Sequence, residues 1–578
     1  MSTMIAAFGL ILAPALPLLM ALLWCVPGLR ARVAGWTPWA ALPALLLALG
    51  GQSGASVQLD WIMFGTVLGL NELNRVFLTV TATLWLGAGV YARGYLAGDA
   101  RVEQFCLLWL ATMAGNIGLI LAQDVASFYA SFALMTFAAY GLVIHARSAQ
   151  ALRAGRVYLA MAVVGEALIL TGLMLAASGL DVPLLPMLAA LPEAIAESAH
   201  RDLIITCLFF GFGIKAGLPL LHMWLPLAHP VAPIPASAVL SGAMIKAGLL
   251  GWISTLPFGL ISLPHWSLFM MGTGLLAAFG AAFIGVHQQT PKTVLAYSSI
   301  SQMGLITVGV GAGLHDPKVW PVLGPAIALY ALHHGLAKGA LFLGVGIVGH
   351  RGGRLISPLL WLALALPGLS LAGPMFSGMA AKLSLKAALA AGSSIPAWWQ
   401  HLPLLLGLAA IGTTSLIARY LWLLLEVKPG HPATRSVWLG WGMVLGASTF
   451  GLVALPWLPV AAGWPPDLDY LPDLAWPVLV GVILALLAVR HLRAWPIPAG
   501  DGVVALEWVF AALVRGWRGF RVVMRRHTRK WRWSKPGAKA TPSIMSLYGN
   551  RLEQTWRRDA GLIFAALLVV MLLATVLG

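Results

Sequence analysis

The chain has 578 residues, 60% of them hydrophobic and only 10% charged, with a mean hydropathy of +0.87 and a formal net charge of +17 at pH 7. That balance excludes a soluble globular domain and points to an all-α polytopic membrane protein. Cys25, Cys106 and Cys207 lie in apolar stretches without metal-ligand spacing, so neither a disulfide framework nor a metal site is expected.

Apolar windows able to cross a ~30 Å hydrocarbon core recur along the chain and predict about 14–16 transmembrane helices. The first, residues 4–26, is too long for a signal-peptide core and reads as a retained span. Residues 1–100 hold the N-terminal helices, with a polar excursion near residues 51–74 that predicts a short extracytoplasmic hairpin. Residues 104–260 and 261–430 form a dense helical core carrying nearly every ionisable group set among apolar residues, and residues 431–492 add further spans. In residues 493–558 a basic amphipathic segment follows, with Leu506, Val509, Phe510, Leu513, Trp517 and Phe520 at helical spacing and Arg515, Arg518, Arg521, Arg525 and Arg526 beside them. Anionic lipid headgroups are its expected partner, with docking onto another subunit as the alternative. Residues 559–578 make a last span.

The positive charge does not indicate nucleic-acid binding, because basic residues fall in alternate loops. These hold Arg30 and Arg32; Arg93 and Arg101; Arg147, Arg153 and Arg156; Lys292; Arg351 and Arg354; and Lys428 and Arg435. Intervening loops are acidic or nearly neutral, with Asp60 and Glu72, then Asp181, Glu193 and Glu197, then Asp467, Asp469 and Asp473. This positive-inside pattern predicts a multi-pass protein of a bacterial inner membrane with a periplasmic N-terminus.

Ionisable residues inside apolar spans are costly and mark functional paths by default; a lysine at the bilayer centre costs about +2.5 to +3.5 kcal/mol on translocon scales. Lys215 precedes Pro219, where the helix is expected to unwind, and His222 and His229 follow at steps of seven. A regular helix would put those histidines on one face; Pro219 and Pro226 disturb it. Lys246 lies mid-span in the next segment, and downstream His333, His334 and Lys338 form a second constellation. His334 and Lys338, four residues apart, are neighbours on a helix. Lys382, with Lys386 one turn later, follows the interruption Gly373-Pro-Met-Phe-Ser-Gly378. Arg419 and Glu426, towards the end of a span, read as interfacial. Two broken helices, each bearing a lysine, suggest inverted repeats with an ion site near the midplane. Amines, whose proton affinity responds to their surroundings, and imidazoles, which titrate near neutrality, suit a proton relay better than sodium binding, which calls for hard oxygen ligands. No nucleotide loop, dinucleotide fingerprint, haem motif or cysteine cluster is present, so no cofactor is expected.

These residues resemble the antiporter-like proton-translocating subunits shared by respiratory complex I, membrane-bound hydrogenases and multisubunit cation/proton antiporters. The resemblance rests on Lys215 with His222-Met-Trp-Leu-Pro226, Ala232-Pro, Pro235-Ala-Ser-Ala238 and Lys246-Ala-Gly248. It continues through Leu295-Ala-Tyr-Ser-Ser-Ile-Ser-Gln-Met-Gly304, His334-Gly-Leu-Ala-Lys-Gly-Ala-Leu-Phe342, and Gly373-Pro-Met-Phe-Ser-Gly378 with Lys382. It implies two inverted five-helix repeats, a central hydrophilic axis, proton movement without a cofactor, and other membrane subunits as partners. Two departures stand out. Ala133 occupies the place of the family's glutamate in the helix after Asp124, which leaves Glu166 as the expected substitute beside Lys215. Pro291 and Thr293 flank Lys292 where the family often has an acidic and a basic residue. The alternatives are a proton-coupled subunit of an inorganic-carbon uptake system and a non-conducting membrane scaffold.

Overall fold

The computed structural model describes residues 2–500 and 502, except 25, 64, 181–185, 352–356, 392–396, 429, 431–432, 452–454, 456, 459–467, 489–496. The basic segment from residue 503 onwards and the span at 559–578 lie outside the described residues. The chain divides into two compact units, Met1–Gln58 with Thr66–Asp501, and Leu59–Gly65 with Gly502–Gly578. The first holds the helices described below.

Twelve helices among the described residues are long and apolar enough to cross a membrane. Shorter or interrupted ones, Arg201–Ala216 with Trp224–Val231, Arg435–Phe450 and Leu471–Ala488, add to these. The expected hairpin is present as two paired strands, Ala55–Leu59 and Thr66–Leu70. It is tied to the bundle by Asp124, whose carboxylate accepts from Val67 N at 2.9 Å and caps the helix Val125–Val143 through Ser127 N at 2.8 Å. An aspartate N-cap satisfies one of the first-turn N–H groups that have no partner within the helix.

Burial sorts the helices. Ile234–Thr255 and Pro291–His315 are enclosed along their whole apolar windows, whereas Ala149–Ala177 and Pro264–Val286 turn Val163, Val164, Leu276 and Phe283 outwards, as a lipid face requires. The run Gly309-Val-Gly-Ala-Gly313 packs against Met271, Ile327 and Trp320, the close helix approach that small residues permit in membranes.

Two helices break where prolines and glycines predict. Arg201–Ala216 ends at Gly217, which is left-handed at φ +82, and helix resumes at Trp224. The indole of Trp224 donates to the freed Ile214 carbonyl at 2.8 Å. Pro358–Ala372 ends at Gly373, φ +122, and helix restarts at Phe376. A third irregularity has no proline behind it: the helix from Ile234 widens into a π-helical turn at Leu240–Met244 directly before Lys246. Such turns gather at functional sites.

Candidate functional site

Lys215 is 5% exposed, in the last turn before the first break. Its ammonium donates to Thr136 Oγ1 at 3.1 Å and to Tyr158 OH at 3.3 Å, while Tyr158 donates to the Thr136 carbonyl at 2.8 Å. The rings of Phe132, Tyr158 and Trp224 lie 5.5–5.9 Å from the amine. Glu166, reaching in from Ala149–Ala177, lines the same small cavity of about 20 Å³, room for a single water. The carboxylate attracts Lys215 and faces the Thr136 hydroxyl, yet the two charges do not touch as an ion pair. Ala133, on the same helix as Thr136, supplies no charge; Glu166 brings one from the next helix.

Lys246 and Lys338, 1% and 0% exposed, form the middle of the site. Lys246 donates to the Ser241 carbonyl at 2.8 Å, a group that the π-helical turn places within its reach. Ser241 and Ser299 hydroxyls bond at 2.7 Å. Next to Ser299, Ser298 accepts from Lys338, which also donates to Leu295 O at 3.0 Å. His334 interacts electrostatically with both lysines, and neither ring nitrogen has a hydrogen-bond partner among the described residues. The structure therefore brings Lys246, His334 and Lys338 into one cluster, linked by Ser241, Ser298 and Ser299.

The two histidines of the first break separate. His222 lies in the non-helical stretch between Arg201–Ala216 and Trp224–Val231, with Nδ1 3.3 Å from Leu218 O, so it shares no helical face with His229. His229 is fully buried, stacked on Phe342 at 4.7 Å, and interacts electrostatically with Lys292 and Lys338.

At the second break, Lys382 turns back to donate to the Ala372 carbonyl, freed by the end of its helix. Towards the centre, Ser377 bonds His333 Nδ1 at 2.9 Å and donates to Ser448 O at 3.0 Å. Beside these, Tyr330 donates to Gln302 Oε1 at 2.9 Å and Gln302 to Thr413 at 2.8 Å. The sequence signal for Ser298, Ser299, Ser301 and Gln302 was their crowding within one apolar span; Thr136, Tyr158 and Thr413 carried none. One expectation changes. Arg419, expected at an interface, holds the turn at one end of the bundle but is itself only 2% exposed, donating to Gln288 O at 3.1 and 3.2 Å and to Gln289 at 3.2 Å; Glu426 is exposed.

Residues 122–398 match the family described as NADH:quinone oxidoreductase/Mrp antiporter, TM. Those residues, just under half of the chain, are similar to that family's membrane domain. Each of its quoted motifs, from Lys215 to Lys382, falls within the match. Among relatives, Hydrogenase-4 component B of Escherichia coli is 31% identical over 299 residues, 49% of this chain and 43% of that protein. Na(+)/H(+) antiporter subunit A1 of Staphylococcus aureus is 28% identical over 337 residues, 55% of this chain and 42% of that protein. The chain thus spans less than half the length of these curated relatives. Among solved structures, the Mrp complex from a Dietzia species superposes with a TM-score of 0.71 at 20% identity, covering 93% of this chain and 64% of the other. The membrane-bound sulfane sulfur reductase, an archaeal respiratory membrane complex, gives 0.59 at 18% identity, covering 82% and 98%. At such identities the likeness establishes the fold.

Proposed function

We propose that this chain is the proton-translocating membrane subunit of a multisubunit complex. Protons pass along Lys246, Lys215, His334, Lys338 and Lys382, with His222 and His229 flanking the path and water bridging gaps too wide for direct bonds. The observation that carries this reading is the state of the buried lysines. Lys215, Lys246, Lys338 and Lys382 are each held by hydroxyls or carbonyls and, among the described residues, none by a contacting carboxylate. A lysine locked to a carboxylate is a structural pair; one held by neutral acceptors is free to give up its proton and take another. Glu166, near but not touching Lys215, supplies the charge that modulates it. Relatives named as a hydrogenase component and as an antiporter subunit support ion movement coupled to a partner.

The same reading divides residues 104–260 and 261–430 into inverted five-helix repeats, places the chain in a bacterial inner membrane with a periplasmic N-terminus, and lays the basic segment 493–558 against anionic headgroups. Driving energy comes from a partner subunit. The decisive variant is Lys215→Ala in the complex purified through this chain and reconstituted into vesicles. Proton flux should vanish while subunit composition is unchanged. Undiminished flux would leave the chain a scaffold.

A further inference from the structure

Lys382 opens onto a cavity of about 20 Å³, room for one water, bordered also by Lys386, Tyr330 and Asp473. Asp473 lies beyond the matched domain, in the first turn of Leu471–Ala488. Leu474 clusters with Met379 and Leu383 of the Lys382 helix, and this contact turns the neighbouring carboxylate towards Lys386, which it attracts. Exposure increases along the row: Lys382 is 8% exposed, Lys386 half-buried and Asp473 exposed.

The direction of the row follows from packing. Trp476 lies against Gly407 and Gly481 against Thr414, so Leu471–Ala488 runs parallel to Leu402–Leu425. At the far end of Leu402–Leu425, Arg419 holds the turn that carries Gln288 and Gln289, next to Lys292. Asp473 therefore emerges at the end of the bundle opposite Lys292 and Arg419, the face whose loops are acidic.

We propose that Asp473, together with Lys386, is the outlet of the proton axis. A proton leaving the Lys382 ammonium breaks an N–H bond, crosses the cavity on one water, and forms the O–H bond of the Asp473 carboxylic acid. Loss of that proton to bulk solvent restores the carboxylate. Lys386 balances its charge and holds it at the mouth. This inference rests on the proton-translocating reading above.

The test uses the purified complex in vesicles of phosphatidylethanolamine and phosphatidylglycerol, with an entrapped pH dye and a potassium diffusion potential. Asp473→Asn should slow flux at least about tenfold, on the scale of losing a positioned proton-transfer group. Asp473→Glu should restore most of it, and added imidazole should partly rescue the asparagine variant by carrying protons in place of the carboxylate. Slowing that neither glutamate nor imidazole restores marks a structural contact and overturns the proposal. If Lys382→Ala abolishes flux while Asp473→Asn leaves it unchanged, the outlet is wrong and the axis stands. If Lys382→Ala leaves flux unchanged, the axis itself is wrong.

Discussion

Glu166 offers Lys215 a charge from the helix after the one that holds Ala133. It approaches Lys215 from Ala149–Ala177, with the Thr136 hydroxyl between them and room for one water beside it. The amine thus interacts with a charge without being captured by it, a balance that a direct buried pair would lose. Replacing the carboxylate by its neutral isostere tests this. Glu166→Gln should lower proton flux about tenfold or more, the loss expected from removing one positioned charge from a proton-transfer step. Subunit assembly, followed by size-exclusion chromatography, should be unaffected because the amide fills the same space. Unchanged flux would mean that Lys215 is modulated from elsewhere. The amines and imidazoles were legible in the sequence because charge in an apolar span stands out. Thr136, Tyr158 and Thr413 were not, since a hydroxyl in a transmembrane helix ordinarily bonds its own backbone, as Thr112 and Thr307 do here.

At the scale of elements, the two breaks were legible and the π-helical turn was not. Prolines and glycines announce a break by removing donors and permitting positive φ. The turn at Leu240–Met244 comes instead from packing, where Gly242 lies so close to the Gly335 carbonyl that a Cβ would be 2.8 Å from it. Sequence reading has no access to a constraint made by a helix more than ninety residues away. The second break shows how closely such elements are bound to function. Gly373 has φ +122, and a Cβ there would sit 2.7 Å from the Lys382 side chain. Gly373→Ala should cost about 1–3 kcal/mol in backbone strain alone, measurable as earlier thermal unfolding in detergent. It should also reduce flux, since Lys382 would be pushed from the Ala372 carbonyl. Gly217→Ala, at the first break, offers the contrast: it carries the strain of a left-handed residue but meets Leu225 rather than a lysine, so it should impair stability more than flux. Equal flux losses in both variants would argue that helix ends, rather than access to Lys382, govern transport.

For the whole molecule, the reading of direction depends on charge. Basic loops alternate with acidic ones along the sequence, and contacts at both ends of Glu72–Tyr95 place one later helix relative to them. A Cβ on Gly94 would touch Thr434 and Ser436, which sets the start of Arg435–Phe450 beside Arg93. At the other end of Glu72–Tyr95, the Arg75 guanidinium lies 4.0 Å over the ring of Trp457, on the chain leading towards the acidic stretch. Two independent contacts therefore orient Arg435–Phe450 opposite to Glu72–Tyr95, with the arginine-bearing loops at one face. By the positive-inside rule we propose that this face is cytoplasmic. Cysteine labelling in whole cells decides the matter. With the native cysteines replaced, Tyr470→Cys, half exposed beside the acidic turn at 51%, should react with a membrane-impermeant maleimide from outside. Ser436→Cys, in the first turn of Arg435–Phe450, should react only after the membrane is opened. The reverse pattern would invert the molecule, turning the Asp473 mouth into an inlet and requiring the partner's energy to drive protons the other way along the same amines.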